Sequence, residues 1–176
     1  MSGLSILYER NARFVESFDD GALPIDPALS LVILTCVDAR VDPAHFAGLE
    51  LGDAFVLRNP GARVTDAVAR EVATVWTLLD LVGGSTPALE LAIIHHTRCG
   101  VGRFSDPEVA AEVTRRFGSS ELIDAYAIGD HEATMAGDID RLRANPMVPR
   151  GLEVSGHMYD IVTGRLSEMV ATQTLG

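Results

Sequence analysis

The fold of this chain is decided by the stretch Leu31-Val-Ile-Leu-Thr-Cys36-Val-Asp38-Ala-Arg40. An apolar run rich in Val and Ile ends abruptly in a thiol, a carboxylate and a guanidinium. A short apolar run that is followed by a loop predicts a buried strand, typical of a parallel sheet. In open α/β sheets, ligands bind beyond the carboxyl ends of the strands. The sequence therefore places Cys36, Asp38 and Arg40 where chemistry is expected.

A second stretch repeats this arrangement. The apolar run at residues 89–94 ends in His95-His96-Thr-Arg-Cys99-Gly100. Thiolate and imidazole are ligands that suit Zn²⁺, and three protein ligands with a fourth position open are typical of a catalytic zinc. Because residues three apart can share one turn, we predict one zinc ion per chain, bound by Cys36, His96 and Cys99.

The two cysteines also allow a simpler interpretation, a disulfide between Cys36 and Cys99. Disulfides are rare in cytosolic proteins, and a single pair does not make a disulfide scaffold. The chain contains no C-x-x-C redox pair either. The metal site is the favoured interpretation.

Length, composition and net charge limit the classes of protein to which this chain can belong. A length of 176 residues fits one domain, and 47% hydrophobic residues with 22% charged residues is ordinary globular composition. The net charge of −11 argues against a nucleic-acid partner, which would need a basic face. No apolar run approaches the ~20 residues of a membrane span, and the first 14 residues lack a secretory signal. We expect a cytoplasmic protein with no membrane partner.

The order of predicted elements gives the fold class. Helices are expected at residues 5–18 and 66–82 and over most of 109–145, with a break near Gly118 or Gly129. Thr65 and the Ser105-Asp-Pro-Glu108 stretch are expected to begin helices. Strands are expected at 31–35, 54–57, 89–94, 151–158 and 166–170. We therefore predict a single α/β domain over residues 1–176, with a mostly parallel central sheet flanked by helices and a C-terminal strand pair. Residues 1–30 would form a helical arm and a loop.

The two motifs together resemble a known family. Cys36-x-Asp38-x-Arg40, followed much later by His96-x-x-Cys99-Gly100, is similar to the β-class carbonic anhydrases. The resemblance continues through 52–61, 140–146 and 156–164, and so covers the chain from about residue 31 to residue 170. The paired motifs are specific, whereas either one alone would be a weak signal.

The resemblance implies an activity and roles for the residues. The reaction would be zinc-dependent, reversible hydration of carbon dioxide to bicarbonate and a proton, with a zinc-bound hydroxide as the nucleophile. Asp38 and Arg40 would be catalytic: Arg40 holds Asp38 ionised, and Asp38 accepts a hydrogen bond or a proton from the bound water. The H-x-x-C spacing selects His96 over His95 as the metal ligand. Gly100 is a candidate for substrate binding, because its backbone N–H can approach a ligand oxygen.

The resemblance also implies a homodimer or a dimer of dimers, because part of the carbon dioxide slot in this family comes from the neighbouring subunit. The N-terminal helix would pack on that subunit or, alternatively, on its own domain. The sequence departs from two branches of the family. Ile33 stands where a bicarbonate-regulated branch has Trp, and Pro27 stands where a plant-like branch has a substrate-binding Gln.

The same residues allow three alternatives. The same zinc site could serve a hydrolase of a carbon dioxide analogue such as carbon disulfide, or a non-catalytic zinc- or bicarbonate-binding module. Asp38 could itself fill the fourth zinc position if Arg40 swung away. Arg58 could line the site, although a structural role as a buried cation is favoured.

Overall fold

The computed structural model describes residues 2–83 and 88–176. Its centre is a five-stranded sheet in the order β2-β1-β3-β4-β5. The first four strands are parallel, and the last is antiparallel to its neighbour. This confirms the predicted α/β fold with a C-terminal strand pair. The strands are β1 (Leu31–Cys36), β2 (Ala54–Asn59), β3 (Glu90–His96), β4 (Glu153–Tyr159) and β5 (Leu166–Thr174).

Helices flank the sheet and connect its strands. Short 3₁₀ turns at Pro60–Ala62 and Gly100–Ser105 follow β2 and the loop after β3. The helices are α1 (Gly3–Val15), α2 (Pro43–Phe46), α3 (Asp66–Gly83), α4 (Pro107–Phe117), α5 (Glu121–Tyr126) and α6 (His131–Ala144). The region predicted as mostly helical is therefore interrupted at both of the expected places. Gly118 ends α4 in the left-handed conformation, with φ of 67°.

Both predicted helix starts are confirmed, and one of the two capping residues differs from the expected one. Thr65 caps α3 as expected, because its Oγ1 accepts a hydrogen bond from the N–H of Val68 at 3.3 Å. The 105–108 stretch begins α4 as expected, but the capping residue is not Ser105, which the Ser-x-x-Glu pattern favours. Asp106 is the cap and accepts from the N–H of Glu108 at 2.8 Å. The Ser105 hydroxyl instead donates to the carbonyl of Gly102 within the 3₁₀ turn Gly100–Ser105. A carboxylate next to a helix N-terminus is favoured there by the helix dipole.

The main core lies on one face of the sheet. Alternate side chains of β1, β3 and β4 pack there against the apolar stripes of α3 and α6. Fully buried Leu34, Ile93 and Leu142 are representative, and each such side chain contributes about 1.5–3 kcal/mol by burial. Trp76 packs against this core from its edge, as expected for a structural residue. A smaller apolar cluster on the other face includes Ile33, together with Phe46 and its stacking partner Tyr159.

Strand register determines where the site can form. β1 and β3 are adjacent and parallel, with Thr35 opposite Ile94, and the Thr35 hydroxyl donates to the Ile94 carbonyl at 3.2 Å. The carboxyl ends of both strands therefore reach the same edge of the sheet. Cys36 and His96, which end these strands, leave the sheet side by side.

Helix α1 stands apart from this body. None of its side chains is buried within the described residues, and Leu7 and Phe14 are 58% and 50% exposed. No helix among the described residues has the length and apolar character needed to cross a bilayer.

Candidate metal centre

Three predicted ligands converge at the carboxyl edge of the sheet. The donor atoms of Cys36, His96 and Cys99 all lie within 4.8 Å of one another. The two sulfurs are 3.9 Å apart, far longer than the ~2.05 Å of a disulfide, and both cysteines are free. The arrangement is that of a cluster of separate donors rather than of a covalent bridge.

The imidazole of His96 is oriented by its own neighbour. Its Nδ1 lies 3.0 Å from the carbonyl oxygen of Thr97, and because a carbonyl can only accept, Nδ1 carries the proton. Nε2 then holds a free lone pair. This nitrogen is buried and has no hydrogen-bond partner among the described residues. A buried polar atom left unpaired is costly, so a cation bound between Nε2 and the two sulfurs fits the donors present.

His95 does not join this cluster. Strand alternation sends it to the opposite face of β3, where its Nδ1 lies 3.0 Å from Nδ1 of His131. Burial is the main reason that the pKa of His95 falls to about 3, which keeps its ring neutral. Only one of the two adjacent histidines therefore faces the thiols, as the sequence predicts.

The two thiols share their protons unequally. A hydrogen bond from the Cys99 thiol is the main reason that the pKa of Cys36 falls to about 4. The Gly61 backbone N–H adds a further bond to its sulfur at 3.3 Å. The pKa of Cys99 is raised, first because its thiol donates to Cys36 and then by burial. The pair therefore loses one proton readily and keeps the second, which a divalent cation would have to displace.

Asp38 and Arg40 form a bidentate ion pair beside the donors. Arg40 Nε and Nη2 donate to the two carboxylate oxygens at 2.9 and 2.6 Å, and its backbone N–H donates at 3.0 Å. The guanidinium holds the pKa of Asp38 well below its usual range. Asp38 Oδ2 lies 4.0 Å from Nε2 of His96. The Asp38 side chain is 19% exposed and that of Arg40 is 54% exposed, so the pair lies between the donors and solvent.

Arg58 braces the loop that carries this pair. Its guanidinium donates to the backbone carbonyls of Cys36, Asp38 and Val41 at 3.0, 2.8 and 2.7 Å. A single side chain therefore fixes the path of the chain from the end of β1 to the start of α2. These contacts support the favoured structural role of Arg58, but the expected burial is wrong, because the residue is exposed at the end of β2.

The turn after β2 supplies a contact that the sequence did not identify. Gly61 adopts φ of 80°, and a Cβ there would lie 2.7 Å from a methyl of Val101, so only glycine fits. Asn59 closes the turn with hydrogen bonds to the N–H and carbonyl of Arg63 at 2.8 and 2.7 Å. The Arg-Asn-Pro-Gly stretch could be recognised as a turn from the sequence. The hydrogen bond from the Gly61 N–H to the Cys36 sulfur could not, because it comes from the backbone and not from a side chain.

Gly100 follows Cys99 directly and is exposed. A Cβ at this position would meet no atom within 4 Å. Packing within the chain therefore does not require glycine at this position. The proposed contact of its backbone N–H with substrate stays a prediction.

Comparisons with known proteins agree on one family. The family model for carbonic anhydrase matches residues 31–166. The chain is 30% identical over 149 residues to beta-carbonic anhydrase 1 of Mycobacterium tuberculosis, covering 85% of this chain and 87% of that protein. It is also 26% identical over 161 residues to a carbon disulfide hydrolase of Acidianus sp., covering 77% of this chain and 75% of that protein.

A solved structure gives the same result. The crystal structure of a carbonic anhydrase from Streptococcus mutans superimposes with a TM-score of 0.76 at 32% identity, covering 96% of this chain and 98% of that one. The match to the family model, the curated relatives and the shared fold establish that the chain belongs to the β-class carbonic anhydrase family of enzymes.

Proposed function

We propose that this protein catalyses the zinc-dependent, reversible hydration of carbon dioxide to bicarbonate and a proton. The observation that carries the proposal is the convergence of two thiols and one unpartnered imidazole nitrogen within 4.8 Å, beside an ionised Asp38. Cys36, His96 and Cys99 would hold one zinc ion per chain. Three protein ligands leave a tetrahedral ion with one open position.

Bound zinc supplies a Lewis acid that can lower the pKa of a water molecule from 15.7 to about 7. Two thiolate ligands cancel the formal charge of the ion, so nearby groups must assist the loss of the proton. The position of Asp38 on the solvent side of the donors, 4.0 Å from Nε2 of His96, supports this role. Because its pKa is held well below the usual range, Asp38 serves best as a hydrogen-bond acceptor that orients the attacking water.

Arg40 completes the arrangement from this chain. Its two bonds to the carboxylate fix the plane of Asp38, and its Nη2 also donates to the carbonyl of Arg98 at 3.3 Å. Arg98 lies between the ligands His96 and Cys99. Arg40 therefore connects the loop after β1 to the turn after β3, and motion of its half-exposed side chain would allow a proton to leave toward solvent.

The decisive experiment measures bound zinc and stopped-flow carbon dioxide hydration for the parent, Asp38→Asn and the control Asp26→Asn, an exposed loop carboxylate. All three should bind about one zinc per chain. Asp38→Asn should lose about 10- to 100-fold in rate, the range for residues that support a metal centre. A zinc-loaded parent that does not hydrate carbon dioxide would refute the function, and parent-like rates in Asp38→Asn would refute the role of Asp38.

A second candidate substrate is carbon disulfide, favoured by the 26% identity to the Acidianus carbon disulfide hydrolase. Both substrates present a linear, apolar molecule to the same site. Release of hydrogen sulfide from carbon disulfide, measured on the preparation used for carbon dioxide hydration, separates the two. The intact Asp38–Arg40 pair favours either enzyme over a non-catalytic zinc- or bicarbonate-binding module.

We also propose that the protein is a cytoplasmic homodimer or a dimer of dimers. The exposed apolar side chains of α1, including Leu7 and Phe14, support this because they find no cover within the described residues of their own chain. Two free cysteines with facing sulfurs favour a reducing compartment. Residues 1–176 would form one domain, with 1–30 as the arm that reaches the partner.

A further inference from the structure

The turn between His96 and Cys99 is tied to the hairpin that joins β4 to β5. The Thr97 hydroxyl donates to Oδ1 of Asp160 at 3.1 Å, and the Thr97 hydroxyl oxygen accepts from the N–H of Ile161 at 3.2 Å. The Thr97 backbone N–H donates to the carbonyl of Tyr159 at 3.0 Å. Three hydrogen bonds therefore hold this one residue against the start of the hairpin.

Asp160 is itself fixed by the hairpin. Its Oδ1 also accepts from the N–H of Val162 at 2.9 Å, and its Oδ2 accepts from the hydroxyl of Thr163 at 2.9 Å. Its backbone N–H and carbonyl bond to Arg165 and Gly164 at 2.9 and 2.8 Å. The carboxylate is thus a rigid anchor for Thr97 rather than a mobile surface group.

The constraint passes from Thr97 to the metal donors. The Thr97 carbonyl accepts the Nδ1 proton of His96 at 3.0 Å, which sets both the ring orientation and the tautomer that leaves Nε2 free. On the other side of this peptide, Arg98 adopts φ of 57°, an uncommon conformation for a residue with a side chain. A turn of this kind persists only where its surroundings hold it.

From this geometry we propose that Thr97 and Asp160 are positioning residues of the metal centre. They fix the peptide whose carbonyl orients His96 and whose continuation carries Cys99. The inference rests on the proposed zinc site and adds a pair of residues outside the ligand set to it. The Thr97 hydroxyl is the connection, because its hydrogen bonds join the ligand turn to the hairpin.

The alternative is that these bonds only stabilise the hairpin. Thr163 provides the matched control, because its hydroxyl bonds to the same carboxylate but has no hydrogen bond to the ligand turn. Thr163→Val removes a hairpin bond and leaves the Thr97 connection in place. A purely structural role would make Thr163 and Thr97 substitutions equivalent in their effect on the metal.

The test compares Thr97→Ser with Thr97→Ala, which both lose the methyl group and differ by one hydroxyl. The readouts are the rate of zinc release to a chelator and the visible spectrum of the Co²⁺-loaded protein, which reports ligand geometry. We expect Thr97→Ala to release zinc about 10-fold faster or more and to change the cobalt spectrum. Thr97→Ser and Thr163→Val should resemble the parent in both measurements.

Asp160→Ala tests the other half of the pair. It should accelerate zinc release in the parent and have little further effect in Thr97→Ala, because the hydrogen bond from Thr97 to Asp160 is already absent in that background. Equal acceleration in both backgrounds would overturn the connection. Parent-like behaviour of Thr97→Ala, or equal loss in Thr163→Val, would overturn the positioning role.

These readouts do not depend on turnover. If the zinc-loaded parent fails to hydrate carbon dioxide, the proposed function falls while the comparison of Thr97→Ser with Thr97→Ala still decides the inference. If the parent hydrates carbon dioxide and Thr97→Ala releases zinc at the parent rate, the function stands and the inference falls.

Discussion

At the scale of single residues, backbone groups determine the state of the candidate ligands. The Thr97 carbonyl selects the tautomer of His96, and the Gly61 N–H donates to the sulfur of Cys36. The three donors could be proposed from the sequence because thiols and imidazoles are distinctive residue types with a recognisable spacing. The contacts that prepare them could not, because every residue has a backbone N–H and carbonyl, and only the folded chain shows which ones point at a ligand.

Replacing Cys99 tests the ligand set directly. Cys99→Ser removes the thiolate and leaves a hydroxyl that zinc binds poorly, so we expect most of the metal to be lost. His45→Gln is the control, since the His45 side chain is 87% exposed and lies outside the donor cluster. Atomic absorption on dialysed protein measures both. Unchanged zinc in Cys99→Ser would remove this residue from the ligand set.

His157 should make stability depend on pH. Burial is the main reason that its pKa lies below the ordinary 6.5, against the opposing effect of Glu90 and Glu168. As the pH falls through about 6.5, His157 binds a proton in the unfolded chain before it does so in the folded chain. The free energy of unfolding therefore decreases as the pH falls below about 6.5. His157→Gln can keep a hydrogen bond to Ser155, whose hydroxyl lies 2.9 Å from the ring.

The measurement is the fall in urea midpoint between about pH 7.5 and about pH 5.5. We expect a smaller fall for His157→Gln than for the parent, because the variant lacks this titrating group. The metal site and the carboxylates that do not interact with His157 are the same in both proteins. An equal fall in both would contradict the assignment.

At the scale of elements, a buried ion pair joins the turn after β2 to α6. Arg63 donates to Asp138 through Nε at 2.8 Å and Nη2 at 3.0 Å, and the N–H of Val64 adds a bond at 3.0 Å. The side chains are only 8% and 0% exposed. This pair fixes the segment that contains Gly61 and so supports the thiol end of the metal centre.

Asp138→Ala should be among the most damaging substitutions in the protein. It leaves the Arg63 guanidinium buried without its carboxylate, which typically costs about 3–5 kcal/mol in the free energy of unfolding. Glu112→Gln breaks the exposed pairs with Arg115 and Arg116 and should change stability little. Urea denaturation compares the two. Similar small losses of stability in both variants would show that burial does not increase the contribution of the Arg63–Asp138 pair.

Most elements could be predicted because their patterns are long or abrupt. The run from Asp66 has a helical stripe, and the apolar runs at β1 and β3 end sharply in polar residues. The start of α4 in the 105–108 stretch was predicted, but its cap was not, because Ser105 and Asp106 are adjacent candidates and the carboxylate of Asp106 makes the capping hydrogen bonds. The sequence predicted one helix break, near Gly118 or Gly129. The structure has a break in both regions, because a separate short helix, α5, lies between them.

At the scale of the whole molecule, the sequence predicts a mostly parallel sheet but not its strand order. Alternating strands and helices allow several arrangements, and the order β2-β1-β3-β4-β5 follows from long-range packing that no local pattern records. The exposed α1 is the other feature of this scale. Its apolar side chains follow helical spacing, yet only the folded chain shows that the described body leaves them uncovered.

We expect sedimentation at micromolar concentration to show a dimer or a larger even assembly. Leu7→Ser combined with Phe14→Ser should shift the protein toward monomer, because it removes apolar surface from α1. Arg70→Ser, at an exposed polar residue on α3, is the control and should leave the assembly unchanged. A parent that is monomeric and fully active would refute the idea of a shared pocket.

The register of β1 beside β3 has a consequence for biogenesis. Cys36 and Cys99 are 63 positions apart in the chain, and their sulfurs meet only after these two strands have paired. During synthesis, Cys36 leaves the ribosome long before His96 and Cys99 do, so no local segment carries all three predicted ligands. Zinc uptake should therefore be a late event that reports completed assembly of the sheet, unlike in small zinc fingers, where the ion drives folding.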